Sequence, residues 1–377
     1  MGQGQLSLRA AAVAVVSAFL VGLIGSLALR PPGDGTATHQ PNVLQHPEAA
    51  TVAPLRWRVP VAFATNLPAL GDNALYVSGA LRDISGGAVR LDIYEPGEIV
   101  PPFSITDAVR DGKVEAGYTW LGYDQGKIAA SPLLGAVPFG MEPWEFSAWW
   151  FESGGRKLAE DLYHRYNLHP LFCGITGPET AGWFRRRIDS LDDLKGLKIR
   201  FAGIGGKVIE RLGASVTMLP GGEIFQALEK GAIDATEYAL PVVDQMLGFN
   251  RIAPYNYYPG WHQPATGAHL VVNLPVWQSL SHEQQALLET VCTAGVTRNL
   301  ARSEGLQGAV IRGFPAKGVS AETLPMDVLR QLKTVTDQVL AEEAAGDEDF
   351  QRILESQQRF REDYAYWKQR AYLPRDF

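Results

Sequence analysis

An α/β chain of two lobes built on mainly parallel sheets is the fold class this sequence predicts. Three observations carry the prediction. The length, 377 residues, exceeds what one hydrophobic core usually supports. The first third of the globular part alternates strand-like and helix-like stretches in the order β, α, β, α, β. The same alternation returns from residue 168 to 240, after which the chain reads as helical almost to its end.

The chain opens with Arg9 and an uncharged run, AAAVAVVSAFLVGLIGSLAL, Ala10 to Leu29, broken by Arg30-Pro31-Pro32-Gly33. A signal peptide has this layout, with Ser26-Leu27-Ala28 as the cut site. The run also approaches the ~20 residues that span a bilayer, so an uncleaved anchor is the alternative. Export with cleavage is the preferred reading, and both place the globular part outside the cytoplasm. Residues 31–55, rich in Pro, Thr, His, Gln and Ala, read as a linker.

Order begins at WRVPVAFAT, Trp57 to Thr65, a strand. After a helix come VRLDIYEPG as a second strand, ITDAVRDG as a short helix and VEAGYTW as a third strand. LHPLFCGIT is a strand, and Ser190 is a helix N-cap. LKIRFA and SVTMLP are strands, each followed by a helix, and these helices are closed by Gly213 and Gly231. AIDATEYAL and AHLVVNL are further strands. Residues 281–312, 326–344 and 347–372 carry apolar positions at helical spacing.

Composition excludes some functions. A net charge of −7 lacks the basic footprint of a sequence-independent nucleic-acid binder. Two cysteines far apart, Cys173 and Cys292, do not make a zinc site. An exported chain permits their disulfide, but free buried thiols are the preferred reading. Gly203-Ile204-Gly205-Gly206 follows a strand as a phosphate cradle would. Yet Ile209 stands at the third glycine of a dinucleotide fingerprint, and Val208 takes the Ser/Thr place of a Walker-type loop. A permissive strand-to-helix turn is the better reading. No nucleophile–base pair is legible, which lowers the enzyme reading.

Five stretches together carry a family pattern: ISGGAVRLDIYEPGEIVPPF, AVPFGMEPWEFSAWWFESGGRKLAEDLY, GWFRRRIDSLDDLKGLKIRFAGIGGKV, LPGGEIFQALEKGAIDATEY and YYPGWHQPAT. Across about residues 57 to 373 the chain resembles the solute-binding proteins of tripartite ATP-independent periplasmic (TRAP) transporters. It is most similar to the branch that takes 2-oxo or 2-hydroxy monocarboxylates with a cation. The resemblance implies a periplasmic-binding-protein-like clamshell with crossing strands and long C-terminal helices. Lobe I would hold residues 56–178 and 267–305, and lobe II residues 179–266 and 306–377. It also implies a periplasmic location, TRAP membrane permease subunits as partners, no organic cofactor, and a homodimer through the C-terminal helices. A last helix packed on its own lobe is the alternative to the dimer.

Arg200 matches the family arginine that holds the substrate carboxylate, a role its planar fork of donors suits. Glu237 matches a cation-ligating glutamate, beside Tyr238 where the family usually has Trp. Glu179 stands where the family commonly has Gln, which would set two carboxylates against one arginine and favour a firmly held, even divalent, cation; the competing reading is that Glu179 recognises a donor on a different, less simple substrate. Tyr123, Trp183, Tyr238 and His262 join Arg200 and Glu179 as expected substrate contacts, with Phe201 and Trp261 as cleft lining. The expected ligands for sodium or calcium are Glu179, Glu237, Tyr238 and Gln263. Asp124, in the place of an aromatic wall, is expected to enlarge or polarise the pocket. A second function from another class is an exported α/β enzyme using Glu179 and Glu237 as an acid/base pair.

Overall fold

The structure is a computed structural model that describes residues 53–373. The export segment and nearly all of the expected linker lie outside the described residues. Among those described, no helix is long and apolar enough to cross a membrane.

The strands are β1 (Leu55–Pro60), β2 (Val89–Tyr94), β3 (Ala116–Thr119), β4 (Leu168–Thr176), β5 (Gly182–Phe184), β6 (Lys198–Arg200), β7 (Ser215–Thr217), β8 (Ala235–Thr236), β9 (Tyr255–Tyr258), β10 (Thr266–Asn273) and β11 (Ser320–Thr323). The helices are α1 (Gly71–Ile84), α2 (Ile105–Arg110), α3 (Pro143–Glu152), α4 (Gly155–His164), α5 (Gly203–Arg211), α6 (Gly221–Glu229), α7 (Pro241–Met246), α8 (Leu274–Ser279), α9 (His282–Arg312), α10 (Met326–Gly346) and α11 (Glu348–Ala371).

Two sheet systems result, the two α/β lobes of a clamshell. In the first, β1 and β2 pair in parallel, and Val61 bridges Tyr118 to link them to an antiparallel sheet of order β3-β10-β4. The second is a sheet of order β11-β9-β5-β8-β6-β7. Its β11-β9, β8-β6 and β6-β7 pairings are parallel, whereas β5 runs antiparallel to both its neighbours. β4 and β10 are buried along their whole length, as strands covered on both faces must be. The chain passes between the two systems at 177–181, after β4, and at 259–265, before β10.

Ser190 does cap, forming a capping box with Asp193, but it opens one 3₁₀ turn (Leu191–Leu194) rather than an α-helix. Gly213 and Gly231 close α5 and α6 with positive φ, as expected. The 31-residue α9 starts on a capping box of Ser281 and Gln284 and packs along β4 and against α7, so it touches both systems. α10 lies on α5, tied by Lys207 to Glu343 at 2.6 Å. α11 crosses to the other side, where Trp149 Nε1 donates to Ser356 and Gln357 to the Leu133 carbonyl. The final helix of the segment assigned to lobe II therefore packs on α3 and α4, within 56–178.

The cysteine expectation is corrected. Cys173 on β4 and Cys292 on α9 form a disulfide, with Cα atoms 3.9 Å apart. Gly295, one turn further along α9, explains the approach: a Cβ there would sit 2.5 Å from the Cys173 carbonyl oxygen. Sequence separation, 119 residues, gives no hint of that proximity.

Candidate functional site

The ends of β6 and β8 and the two crossing connections converge on one small cavity. Phe63, Trp120, Tyr123, Tyr238 and Thr266 help to line it around Glu179, Arg200, Glu237 and Gln263. Its free space of about 20 Å³ matches the order of one water or ion.

Arg200 ends β6 and is buried. Nη1 donates to the Glu237 carbonyl at 2.6 Å and to its Oε2 at 2.9 Å, and Nε donates to the Leu219 carbonyl at 3.2 Å. The Tyr238 ring lies 5.1 Å below the guanidinium carbon. The Ala202 amide, at the start of α5, donates to the same Oε2 at 3.0 Å. The glycine cluster serves this geometry. A Cβ on Gly205 would come within 2.6 Å of Phe201 and 2.8 Å of the His262 Cβ, so the helix sits this close only because it has none.

Glu179 comes from the first crossing connection. Thr266 donates to its Oε1 at 2.8 Å, and the Gln263 amide, turned nitrogen-inward, donates to Oε1 and Oε2 at 2.9 and 2.8 Å. His262 places Nε2 3.5 Å from Glu237 Oε1 and 3.8 Å from Glu179 Oε2. Both separations exceed an ordinary hydrogen bond. Glu237 Oε1 and both His262 nitrogens are buried without a hydrogen-bond partner. One atom each from Glu179, Glu237 and His262 falls within a 4.8 Å span. Orphaned buried acceptors facing one point are costly unless something bridges them, so this donor set fits a cation.

Electrostatics divides the two carboxyls. Burial, then the charge of Glu237, pushes Glu179 well above the usual carboxylate range. Burial also works against Glu237, but Arg200 and the facing His262 outweigh it and hold Glu237 low. Burial pushes the Tyr123 phenol, which interacts with Arg200, up to about 12.

The structure thus brings together Arg200, Glu179, Glu237, Tyr123, Tyr238, His262 and Gln263. The Gln263 amide is taken up by Glu179. Trp183 is outside the lining: its indole donates to Asp244 at 2.8 Å and its ring meets Phe314. Asp124 is also outside the lining, buried under Thr106 and Tyr163. Phe201 and Trp261 are absent from the lining too and wedge His262, with ring centroids at 4.8 and 5.7 Å. Thr266, Ala202, Phe63 and Trp120 escaped sequence reasoning. Thr266 closes the stretch YYPGWHQPAT, and its hydroxyl there was the available signal.

Residues 63–347 match the family described as bacterial extracellular solute-binding protein, family 7. The chain is 33% identical over 313 residues to a monocarboxylate 2-oxoacid-binding periplasmic protein of Nostoc sp., covering 83% of this chain and 86% of that one. It is similar to the crystal structure of a TRAP transporter solute-binding protein from Bordetella bronchiseptica, a mixed-occupancy dimer with copurified calcium and picolinate. There the TM-score is 0.83 and identity 32%, with 85% of this chain and 95% of that one covered. A TRAP periplasmic solute-binding protein from Pseudoalteromonas atlantica, with bound sodium and pyruvate, gives a TM-score of 0.81 at 32% identity, over 84% and 97% of the two chains.

Proposed function

The chain belongs to family 7 of the bacterial extracellular solute-binding proteins, and from that premise we propose that it captures a small 2-oxo or 2-hydroxy monocarboxylate together with a cation and delivers it to the membrane permease subunits of a TRAP transporter. It is a TRAP-type binding protein and not an enzyme, and in this reading Glu179 and Glu237 serve as ligands rather than as an acid/base pair.

The observation that carries the reading is Arg200, buried and fastened on the main chain of Glu237 and Leu219, in a cavity lined also by two carboxyls that group with the His262 imidazole. A guanidinium held this way is preorganised for a carboxylate. Arg200, Glu179 and Glu237 sum to one negative charge when both carboxyls are ionised. An arriving carboxylate makes two, which a divalent cation neutralises. Tyr123 and Tyr238 supply aromatic walls of modest size, which suits a short acid. Relatives that bind pyruvate, picolinate and 2-oxoacids support the class. Exposed Tyr366, Trp367 and Leu373 at the end of α11 support a homodimer through that helix.

The test is thermal unfolding against 2-oxo acids, 2-hydroxy acids and dicarboxylates, with and without calcium, in the mature chain and in Arg200→Ala. A ligand that binds only the folded state raises Tm by mass action. The expected result is a rise with one monocarboxylate, dependent on the cation and absent in the variant. No rise with any acid overturns the substrate class.

A further inference from the structure

We propose that His262 ligates the bound cation through Nε2, and that this site therefore prefers a first-row divalent transition metal, of the zinc or cobalt type, over calcium or sodium. The inference rests on the cation-dependent reading above and adds to it the identity of a ligand and the class of metal.

The lone pairs of the site argue for it. Glu179 Oε1 is taken by Thr266 and Gln263, Glu179 Oε2 accepts from the Gln263 amide at 2.8 Å and keeps its second lone pair, and Glu237 Oε2 is taken by Arg200 and the Ala202 amide. Glu237 Oε1, His262 Nε2 and Glu179 Oε2 turn toward the common point. That is three protein ligands, one of them nitrogen, with room left for the solute. Three ligands and an open position describe a low-coordinate metal site, whereas calcium gathers about six to eight oxygens. Imidazole suits zinc, cobalt and their neighbours far better than calcium or sodium, which take oxygen. The His262 ring is also fixed for the role, edge-on to Phe201 at 72° and backed by Trp261. It has no other polar employment, since both nitrogens are buried and unpartnered.

The experiment starts from chelator-treated full-length mature protein titrated calorimetrically with Zn²⁺, Co²⁺, Ca²⁺ and Na⁺, beside His262→Gln. Zn²⁺ and Co²⁺ are expected to bind the unaltered protein at least about tenfold tighter than Ca²⁺. In His262→Gln they lose at least about tenfold while Ca²⁺ changes by under about threefold. The visible absorption of the Co²⁺ form should report nitrogen ligation and shift in the variant. Calcium binding as tightly as zinc in the unaltered protein overturns the proposal whether or not the variant folds. Pyruvate added to each loaded form separates the two claims. A Tm rise that calcium supports as well as zinc leaves the acid-binding reading standing and removes this one. Tight zinc binding with no response to any acid does the reverse.

Discussion

Arg200 grips Glu237 twice through one nitrogen, at the main-chain carbonyl and at the carboxylate. Nε is held by the Leu219 carbonyl. The arginine is thus oriented largely by main-chain carbonyls. Breaking a buried pair strands the surviving charge, at a loss of roughly 3–5 kcal/mol. Arg200→Ala should lose stability in that range by urea unfolding. Arg200→Ala/Glu237→Gln should recover part of it, because no buried charge is left alone.

Glu179→Gln separates charge from shape. Burial and the charge of Glu237 hold Glu179 well above the usual carboxylate range, so below that raised range it carries its proton in the cation-free site. A divalent cation must displace that proton. Calorimetry in buffers of different ionisation enthalpy should show about one proton released by the unaltered protein and none by Glu179→Gln. The variant's cation-free stability should change by less than about 1 kcal/mol, since a neutral amide replaces a neutral carboxyl.

Asp244 gives a pH prediction with a definite sign. Burial pushes it up to about 8, with the Trp183 indole as its chief hydrogen-bond partner. The folded-state value lies above the unfolded one near 3.8. Its stabilising contribution is therefore full below about pH 4 and is lost as pH rises through 8. Between pH 5 and 8 the Tm of the unaltered protein should fall more steeply than that of Asp244→Asn. Parallel curves would remove Asp244 as the source.

The disulfide joins residues 119 apart. For a loop of that length the chain-entropy account gives a stabilisation of about 4–5 kcal/mol. Cys292→Ser, or reduction of the unaltered protein, should lower the denaturation midpoint by that equivalent, with acid binding retained because the bond lies outside the cavity lining.

The α/β alternation was legible because periodicity is a local property. Arg200 and Glu237 were named from the family resemblance and not from spacing; the structure sets both at one cavity, each at or just past a strand end. The place of Trp183 was not legible. β5 is three residues long, and which face a short strand turns to the ligand depends on its neighbours β8 and β9. Asp124 misled for a similar reason: its partners Thr106 and Tyr163 lie 18 and 39 residues away in sequence. The cysteine pairing depends on how closely a helix lies on a strand, which Gly295 permits and spacing does not encode.

Glu179 belongs to the connection at 177–181 and His262 and Gln263 to the one at 259–265, the same pieces of chain that pass from one sheet system to the other. A Cβ on Gly260 would collide with the Glu179 carbonyl oxygen, so these two connections touch. These three residues are thus part of the joint rather than its upholstery. In the proposed reading, a guest bound between them would clamp the axle of the door, and no relay would be needed to tell the far edges that the room is occupied.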